Sequence, residues 1–194
     1  LGGAIRGNAG AFGGEMKDNL IAVTYLDTNN SEIKTINNEN CQFSYRQSIF
    51  KKNNNWIIVS AKIKLQTGRQ ETIKNKILKI LKERAKKQPK VFGCSGSFFM
   101  NPTVGKKTLI EQFEKESGQK VRDVKLPAAW LIEKVGLKGK KIGGAMISQK
   151  HANFFINTGN AKADEVEILV SLVKQQVRDK LGVQLQEEVQ YLGF

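Results

Sequence analysis

Apolar and polar positions change rhythm along this chain, and the change divides it into an early strand-rich part and a later mixed part. Leu20 to Asp27 and Ser31 to Ile36 read as two strands joined by the turn-forming Thr28-Asn29-Asn30. Trp56 to Leu65 alternates, with Ile57, Val59, Ala61, Ile63 and Leu65 on one face and Ser60, Lys62 and Lys64 on the other, the pattern of a half-buried strand. Residues 71–87 switch to a helical period. Ile73, Ile77, Ile80 and Leu81 share a face that is expected to lie on a core, and lysines fill the remainder before Gln88-Pro89 ends the helix. Residues 107–117 predict a second helix, with Leu109, Ile110 and Phe113 inward and Gly118 as its stop. Pro127 to Val135 predicts a short third one, with Trp130 on its inner face and Gly136 past its end. Lys141 to Ser148 and Ala152 to Asn157 read as strands. Residues 163–181 form the longest helix, striped by Val166, Leu169, Val170, Val173, Val177 and Leu181 and closed by Gly182. A last strand is expected over Glu188 to Leu192. Strands first, then interleaved helices and strands, indicate an α+β fold in two lobes with a boundary near Pro89.

Composition narrows the class. The 194 residues are 40% hydrophobic, enough for a packed core, and no apolar run approaches the length of a bilayer span. The opening Leu1-Gly2-Gly3 lacks the charged and apolar regions of a signal peptide, and the missing initiator Met leads us to expect a fragment. Cys41 and Cys94 stand far apart with no CxxC spacing, which argues against a disulfide framework or a metal site and for a reducing, cytoplasmic setting. The net charge of +14 admits three readings: phosphate contacts to nucleic acid, the holding of an anionic substrate, or a solvated lysine-rich surface. Exposed pairs such as Lys51-Lys52, Lys86-Lys87 and Lys140-Lys141 favour the third for most of it, with a few cations serving a substrate. The chain has no nucleic-acid recognition motif, and its aromatics are not interleaved with its basic runs.

Four clusters could carry chemistry. Residues 2–15 hold Gly2, Gly3, Gly7, Gly10, Gly13 and Gly14 among small side chains, a backbone that suits a flat or phosphorylated ligand or merely a surface loop. They lack the strand–helix frame of a dinucleotide fingerprint. Arg46, between Tyr45 and Gln47-Ser48, could fork onto a carboxylate, although a surface arginine is the commoner outcome. Ser97 follows Gly96 ahead of Phe98-Phe99-Met100-Asn101-Pro102. It lacks a nucleophile elbow, and His151 is the single histidine, so a hydrolytic triad is poorly supported. Glu187 and Glu188 open the terminal strand, and adjacent strand residues face opposite ways, so only one of them can point into a given site.

In sequence, the blocks NAGAFGGE (8–15), YRQSIFK (45–51), GSFFMNP (96–102), PAAWLIEKVGLKG (127–139), IGGAMIS-x-KHANFFIN (142–157) and the terminal EEV (187–189) resemble the UDP-N-acetylenolpyruvoylglucosamine reductases over essentially the whole chain. The short connection from Phe50 to Trp56 and the segment 84–89 resemble the subgroup without the extra tyrosine-bearing loop.

The resemblance implies the second lobe of a vanillyl-alcohol-oxidase-type FAD-binding domain over 1–87, an α+β substrate-binding domain over 88–182, and a terminal strand, 183–194, returning to the active site. The first FAD lobe would precede Leu1. It implies FAD and NADPH as cofactors and UDP-N-acetylglucosamine enolpyruvate as substrate, reduced to UDP-N-acetylmuramate for peptidoglycan. Arg46, Ser97 and Glu188 match the catalytic positions: a cation beside the developing enolate, a proton donor and an assisting carboxylate. Gly3, Asn8, Ala9 and Gly13 match flavin contacts. Asn101, Lys150 and His151, with Arg84, match the surroundings of the nucleotide-sugar substrate, although His151 reads equally well as a core or capping residue. No metal, nucleic acid or membrane is implied. Met100 stands where the family usually has Lys, Gln190 where it has Arg, and Gln186-Glu187 where Glu-Pro or a similar pair is common. The competing reading is a truncated piece that binds the UDP-sugar but not FAD and is inactive alone.

Overall fold

The computed structural model describes residues 1–194 other than Lys90, Arg122 and Phe194. By its internal packing the chain divides into Leu1–Ile80 and Leu81–Phe194.

The first unit begins with a one-turn helix, α1 (Gly2–Arg6), and a tiny hairpin of β1 (Gly10–Ala11) and β2 (Gly14–Glu15). An antiparallel sheet follows, ordered β4-β3-β5, from β3 (Leu20–Asp27), β4 (Glu32–Asn37) and β5 (Trp56–Ile63), with the short α2 (Ile49–Lys52) before its last strand. Ile5, Leu20, Val23, Tyr25, Cys41 and Phe50 form a buried cluster on one side of this sheet. Tyr25 stacks on Trp56 at 4.2 Å between centroids, and Phe50 meets Tyr25 edge-on at 5.6 Å. Phe50 and Tyr25, both buried, each contribute on the order of 2 kcal/mol through the area they remove from water.

The sheet corrects the expected phase of β5. Thr24 pairs with Ser60 but Tyr25 pairs with Ile58, so Val59 is an extra residue in the ladder. A bulge inverts the alternation on one side of it. Ala61 and Ile63 turn inward as expected, but Trp56 and Ile58 replace Ile57 and Val59 on the inner face. Ile57 and Val59 are 55% and 58% exposed, and Leu65 lies beyond the strand in solvent.

Helix α3 (Gln70–Lys87) has the expected extent but not the expected packing. None of its residues is buried, and Ile73, Ile77, Leu78 and Leu81 are 45–53% exposed. Its apolar stripe does not lie on a core.

The second unit holds a four-stranded antiparallel sheet ordered β6-β9-β8-β7, built from β6 (Gly93–Ser97), β7 (Lys141–Ile142), β8 (Ala145–Ile147) and β9 (Phe154–Asn157). Helices α4 (Lys107–Ser117), α5 (Ala128–Lys134) and α6 (Ala163–Leu181) share its core. Leu169, Val170, Val173 and Val177 are the buried stripe of α6, and Gly182 ends it in the left-handed region at φ 70°. Trp130 is half-buried, edge-on to Phe113 at 5.5 Å, with its indole N–H donating to Glu116.

Three strand expectations change here. The single strand expected over Lys141 to Ser148 is two, folded into a hairpin at Gly143-Gly144. A Cβ on Gly144 would meet the Ala161 backbone nitrogen at 2.6 Å, so only glycine allows the turn to sit this close to the chain entering α6. Glu165 holds the arrangement: its carboxylate accepts from Gly144 N–H at 2.9 Å and Lys162 N–H at 3.0 Å, and these backbone donors keep its pKa below the usual value. The expected terminal strand is absent. Residues 188–192 run without a ladder, and one bridge, Phe99 to Glu187, ties this segment to the sheet side. Strand β6 was not expected at all, because Gly93-Cys94-Ser95-Gly96-Ser97 has no apolar alternation. The ladder of β9 makes it a strand.

Candidate functional site

The expected site residues fall into two groups, one in each unit. In the first, a turn closed by Ser44 and Gln47, which exchange backbone hydrogen bonds of 3.2 and 3.1 Å, carries Arg46 at its tip. Arg46 has φ 57°, a conformation a bulky side chain adopts only when its surroundings hold it. Those restraints are explicit. Its guanidinium donates to the Gly10 carbonyl at 3.2 Å and lies 5.0 Å from the Tyr45 ring centroid, while Lys51 Nζ donates to the Arg46 carbonyl at 3.1 Å. The cation is thus fixed against the glycine-rich segment.

Asn8 organises that segment. It is fully buried at φ 42°, and its carboxamide is committed within the loop. Nδ2 donates to Glu15 Oε2 at 3.1 Å and to the Ser44 carbonyl at 3.0 Å, and Oδ1 accepts from Lys17 N–H at 3.1 Å. Lys17 also pairs with Glu15 at 2.9 Å, and its hydrogen bond is the main cause of the lowered Glu15 pKa. The Asn8 and Ala9 amides donate to the Ile5 and Ala4 carbonyls. Gly3 and Gly13, by contrast, have no atom within 4 Å of where a Cβ would be, and Gly13 has φ 84°. Gly3 and Gly13 are exposed, whereas Asn8 is buried within the loop.

In the second unit, Ser97 ends β6 in solvent. Cys94 pairs with Ile156 and Ser97 with Phe154, so β6 spends three steps where β9 spends two. Gly96, at φ 87°, makes this bulge possible, and the bulge re-aims the residue after it. The next residues are gripped on both edges. Phe98 N–H donates to the Asn153 carbonyl at 2.8 Å, while the Phe98 carbonyl accepts from Glu188 N–H at 2.8 Å and Met100 N–H donates to Gln186 at 2.9 Å. Ser97 and Glu188 therefore lie on neighbouring antiparallel segments. Glu187 is drawn aside by Lys174 of α6 at 2.9 Å. Glu188, the carboxylate expected at the site, is not the partner in this ion pair.

The expected substrate residues make mostly structural contacts. Asn101 Oδ1 accepts the first amide of α5, from Ala128, at 3.0 Å. Lys150 Nζ donates to the Ala85 carbonyl in the last turn of α3 at 2.6 Å, one residue from Arg84, where a cation suits the helix dipole. Arg84 reaches Gln88 at 3.4 Å. His151 Nδ1 accepts from Asn153 N–H at 3.3 Å, and its ring lies edge-on to Phe154. The side chains missed from sequence are Asn153 and Lys174. A polar residue next to the apolar run of β9 was the available signal for Asn153; nothing local marks Lys174. A cavity of about 280 Å³ along α6, lined by Ser171, Lys174, Gln175, Arg178, Gln184 and Leu185, contains none of the expected site residues.

Burial holds the His151 pKa below its ordinary value. Its proton therefore binds more readily in the unfolded chain, where the pKa is about 6.5. The stability this histidine contributes is complete above about pH 6.5 and falls as pH drops through and below that value. Urea unfolding from pH 7.5 to 5 is expected to show this loss, with a shallower slope in His151→Gln. Parallel slopes in the two proteins would contradict it.

Fold and site together define an α+β protein that carries Ser97 and Glu188 on neighbouring antiparallel segments. The comparisons with known proteins specify the family. Residues 88–192 match the family model for the UDP-N-acetylenolpyruvoylglucosamine reductase C-terminal domain. The chain belongs to this family. UDP-N-acetylenolpyruvoylglucosamine reductases from Solibacter usitatus and Caldanaerobacter subterraneus are 35% and 39% identical to it over the whole chain, which spans 61% and 56% of their lengths. The crystal structure of the reductase from Thermus caldophilus matches with a TM-score of 0.73 and 31% identity, over 97% of this chain and 59% of that one. The chain thus spans little more than half the length of these relatives. Among the described residues, no helix is long and apolar enough to cross a membrane.

Proposed function

We propose that this chain supplies the substrate-binding and proton-donating part of a flavoprotein that reduces UDP-N-acetylglucosamine enolpyruvate to UDP-N-acetylmuramate with NADPH, in peptidoglycan synthesis. The observation that supports the reading is the Glu188–Phe98 backbone hydrogen bond, which holds the Glu188 segment beside the one that carries Ser97. Gly3 and Gly13 would face the FAD, with Asn8 and Ala9 shaping the loop. The flavin, when bound, supplies the hydride that the methylene carbon of the enol ether receives.

The residues of the chain meet the remaining needs. Charge develops on the carbon bearing the carboxylate, and a fixed guanidinium stabilises it best because no reorganisation is needed; Arg46 is fixed in that way. Ser97 Oγ gives its proton to that carbon. A serine hydroxyl is a weak acid, so the step depends on close positioning and on the growing basicity of the carbon. Glu188 assists the proton transfer from the adjacent segment. Arg84, Asn101, Lys150 and His151 would surround the anionic nucleotide-sugar, with Asn101 and His151 acting through the loops they brace.

A second reading, that the chain alone binds the UDP-sugar but not FAD, draws support from its covering 54–61% of its relatives' lengths. One experiment separates the two. The purified chain is incubated with FAD, desalted and scanned in the visible range, alone and with the polypeptide that its longer relatives carry. Flavin held in either case supports the reductase reading. Flavin held only with the added polypeptide assigns the lone chain to the binding reading, and flavin held in neither would sink the reductase reading.

A further inference from the structure

We propose that Asn153 is a positioning residue for the proton-donating strand, acting through Phe99 to set Ser97 against Glu188; this rests on the function proposed above. The β6–β9 ladder stops at the Ser97–Phe154 pair, because the chain before Phe154 turns back through His151. Phe98 N–H still finds the Asn153 carbonyl, but Phe99 would otherwise lose its partners on that edge. Asn153, only 3% exposed, continues the ladder with its side chain. Its Oδ1 accepts from Phe99 N–H at 2.9 Å and its Nδ2 donates to the Phe99 carbonyl at 2.8 Å, while its own carbonyl takes Phe98 N–H at 2.8 Å. The carboxamide does the work of a peptide unit, one donor and one acceptor in a plane, in a place where no backbone can reach.

The opposite edge of the same two residues carries Glu188. Glu188 N–H binds the Phe98 carbonyl, and Glu187 bridges to Phe99 while its carboxylate pairs with Lys174. Phe98-Phe99 is thus a middle strand with Asn153 on one side and the Glu188 segment on the other. Its height and tilt set where Ser97, one residue away, stands relative to the Glu188 segment. The chemistry selects asparagine. Alanine offers neither group, serine one hydroxyl for two partners, and aspartate an acceptor without a donor and a charge in a buried place.

The test uses Asn153→Ala, with Asn153→Ser as the milder variant should alanine prevent folding, in the flavin-loaded protein complete with the polypeptide its relatives carry. Displacing a reacting group by about 1 Å costs up to about 10²-fold in rate. The expected result is a fall of about 10- to 10²-fold in kcat for enol-ether reduction, with KM and the NADPH-driven flavin reduction rate within about twofold of the original. Serine should give a smaller fall than alanine. In the chain alone, amide hydrogen exchange at Phe99 and Glu188 should rise by at least about tenfold while that of Val173 in α6 stays unchanged. Unchanged exchange at Phe99 and Glu188 overturns the proposal. So does unchanged kcat in a protein where Ser97→Ala is slow. Normal turnover in Ser97→Ala would instead indict the reductase reading itself, and the exchange result would still decide whether the clamp exists.

Discussion

Ser97→Ala is expected to slow reduction of the enol ether by about 10²–10⁴-fold while leaving NADPH-driven flavin bleaching at its original rate. The asymmetry is the informative part. A group that donates a proton to the second carbon is needed only after hydride has been accepted, so its loss falls on one half-reaction. Ser97 lies in solvent at the end of β6 and is re-aimed by the Gly96 bulge, so losing its hydroxyl opens no cavity and leaves the backbone bonds of Phe98 in place. A fold defect would depress both half-reactions and raise KM. Stopped-flow absorbance of the flavin, followed through bleaching by NADPH and then recovery with the enol ether, reads the two separately. Recovery at the original rate would remove Ser97 from the mechanism.

The largest effect on stability is expected at Asn8. Asn8→Ala deletes three hydrogen bonds made by a fully buried side chain, to Glu15, the Ser44 carbonyl and Lys17 N–H. A hydrogen bond contributes about 0.5–1.5 kcal/mol net and more when one partner is charged, so the loss of three is expected to cost about 3 kcal/mol. Alanine also fits poorly at φ 42°, where asparagine is among the tolerated residues. Asn8→Asp should be at least as damaging, because it sets a second carboxylate against Glu15, whose pKa is lowered mainly by the Lys17 hydrogen bond. Urea denaturation followed by tryptophan fluorescence would measure both, since Trp56 belongs to the same unit. A change under about 1 kcal/mol in the alanine variant would mean that water replaces the carboxamide.

Much of the second unit was legible in advance. Helices α4 and α6 announce themselves through apolar positions three and four apart and through glycines where each must stop. Strand phase was harder. One inserted residue, Val59, reverses the facing of Ile57 and Ile58, and nothing in the alternation reveals it. Strand β6 was invisible because its polar, glycine-containing sequence is held by β9 rather than by its own propensity. For the site, the resemblance supplied Ser97, Arg46 and Glu188. The ion pair of Glu187 with Lys174, thirteen residues earlier on α6, is a contact that nothing in the local sequence announces. Asn101 and Lys150 read as ligand contacts in sequence and His151 as either a ligand contact or a core or capping residue, and in the fold all three make hydrogen bonds within the protein. Sequence registers that a polar residue sits beside the core, but not whether its partner is a ligand or an amide.

The exposed setting of α3 bears on the electrical shape of the molecule. Seven cations and two anions lie along this one helix, so it carries five of the chain's fourteen excess positive charges. Because no residue of the helix is buried, those charges keep their hydration and none is neutralised by packing. The basic character is therefore denser along this helix than over the chain as a whole. Screening at physiological salt confines the field of these charges to within about 8 Å of the helix, so small anions would gather along it as a local sheath.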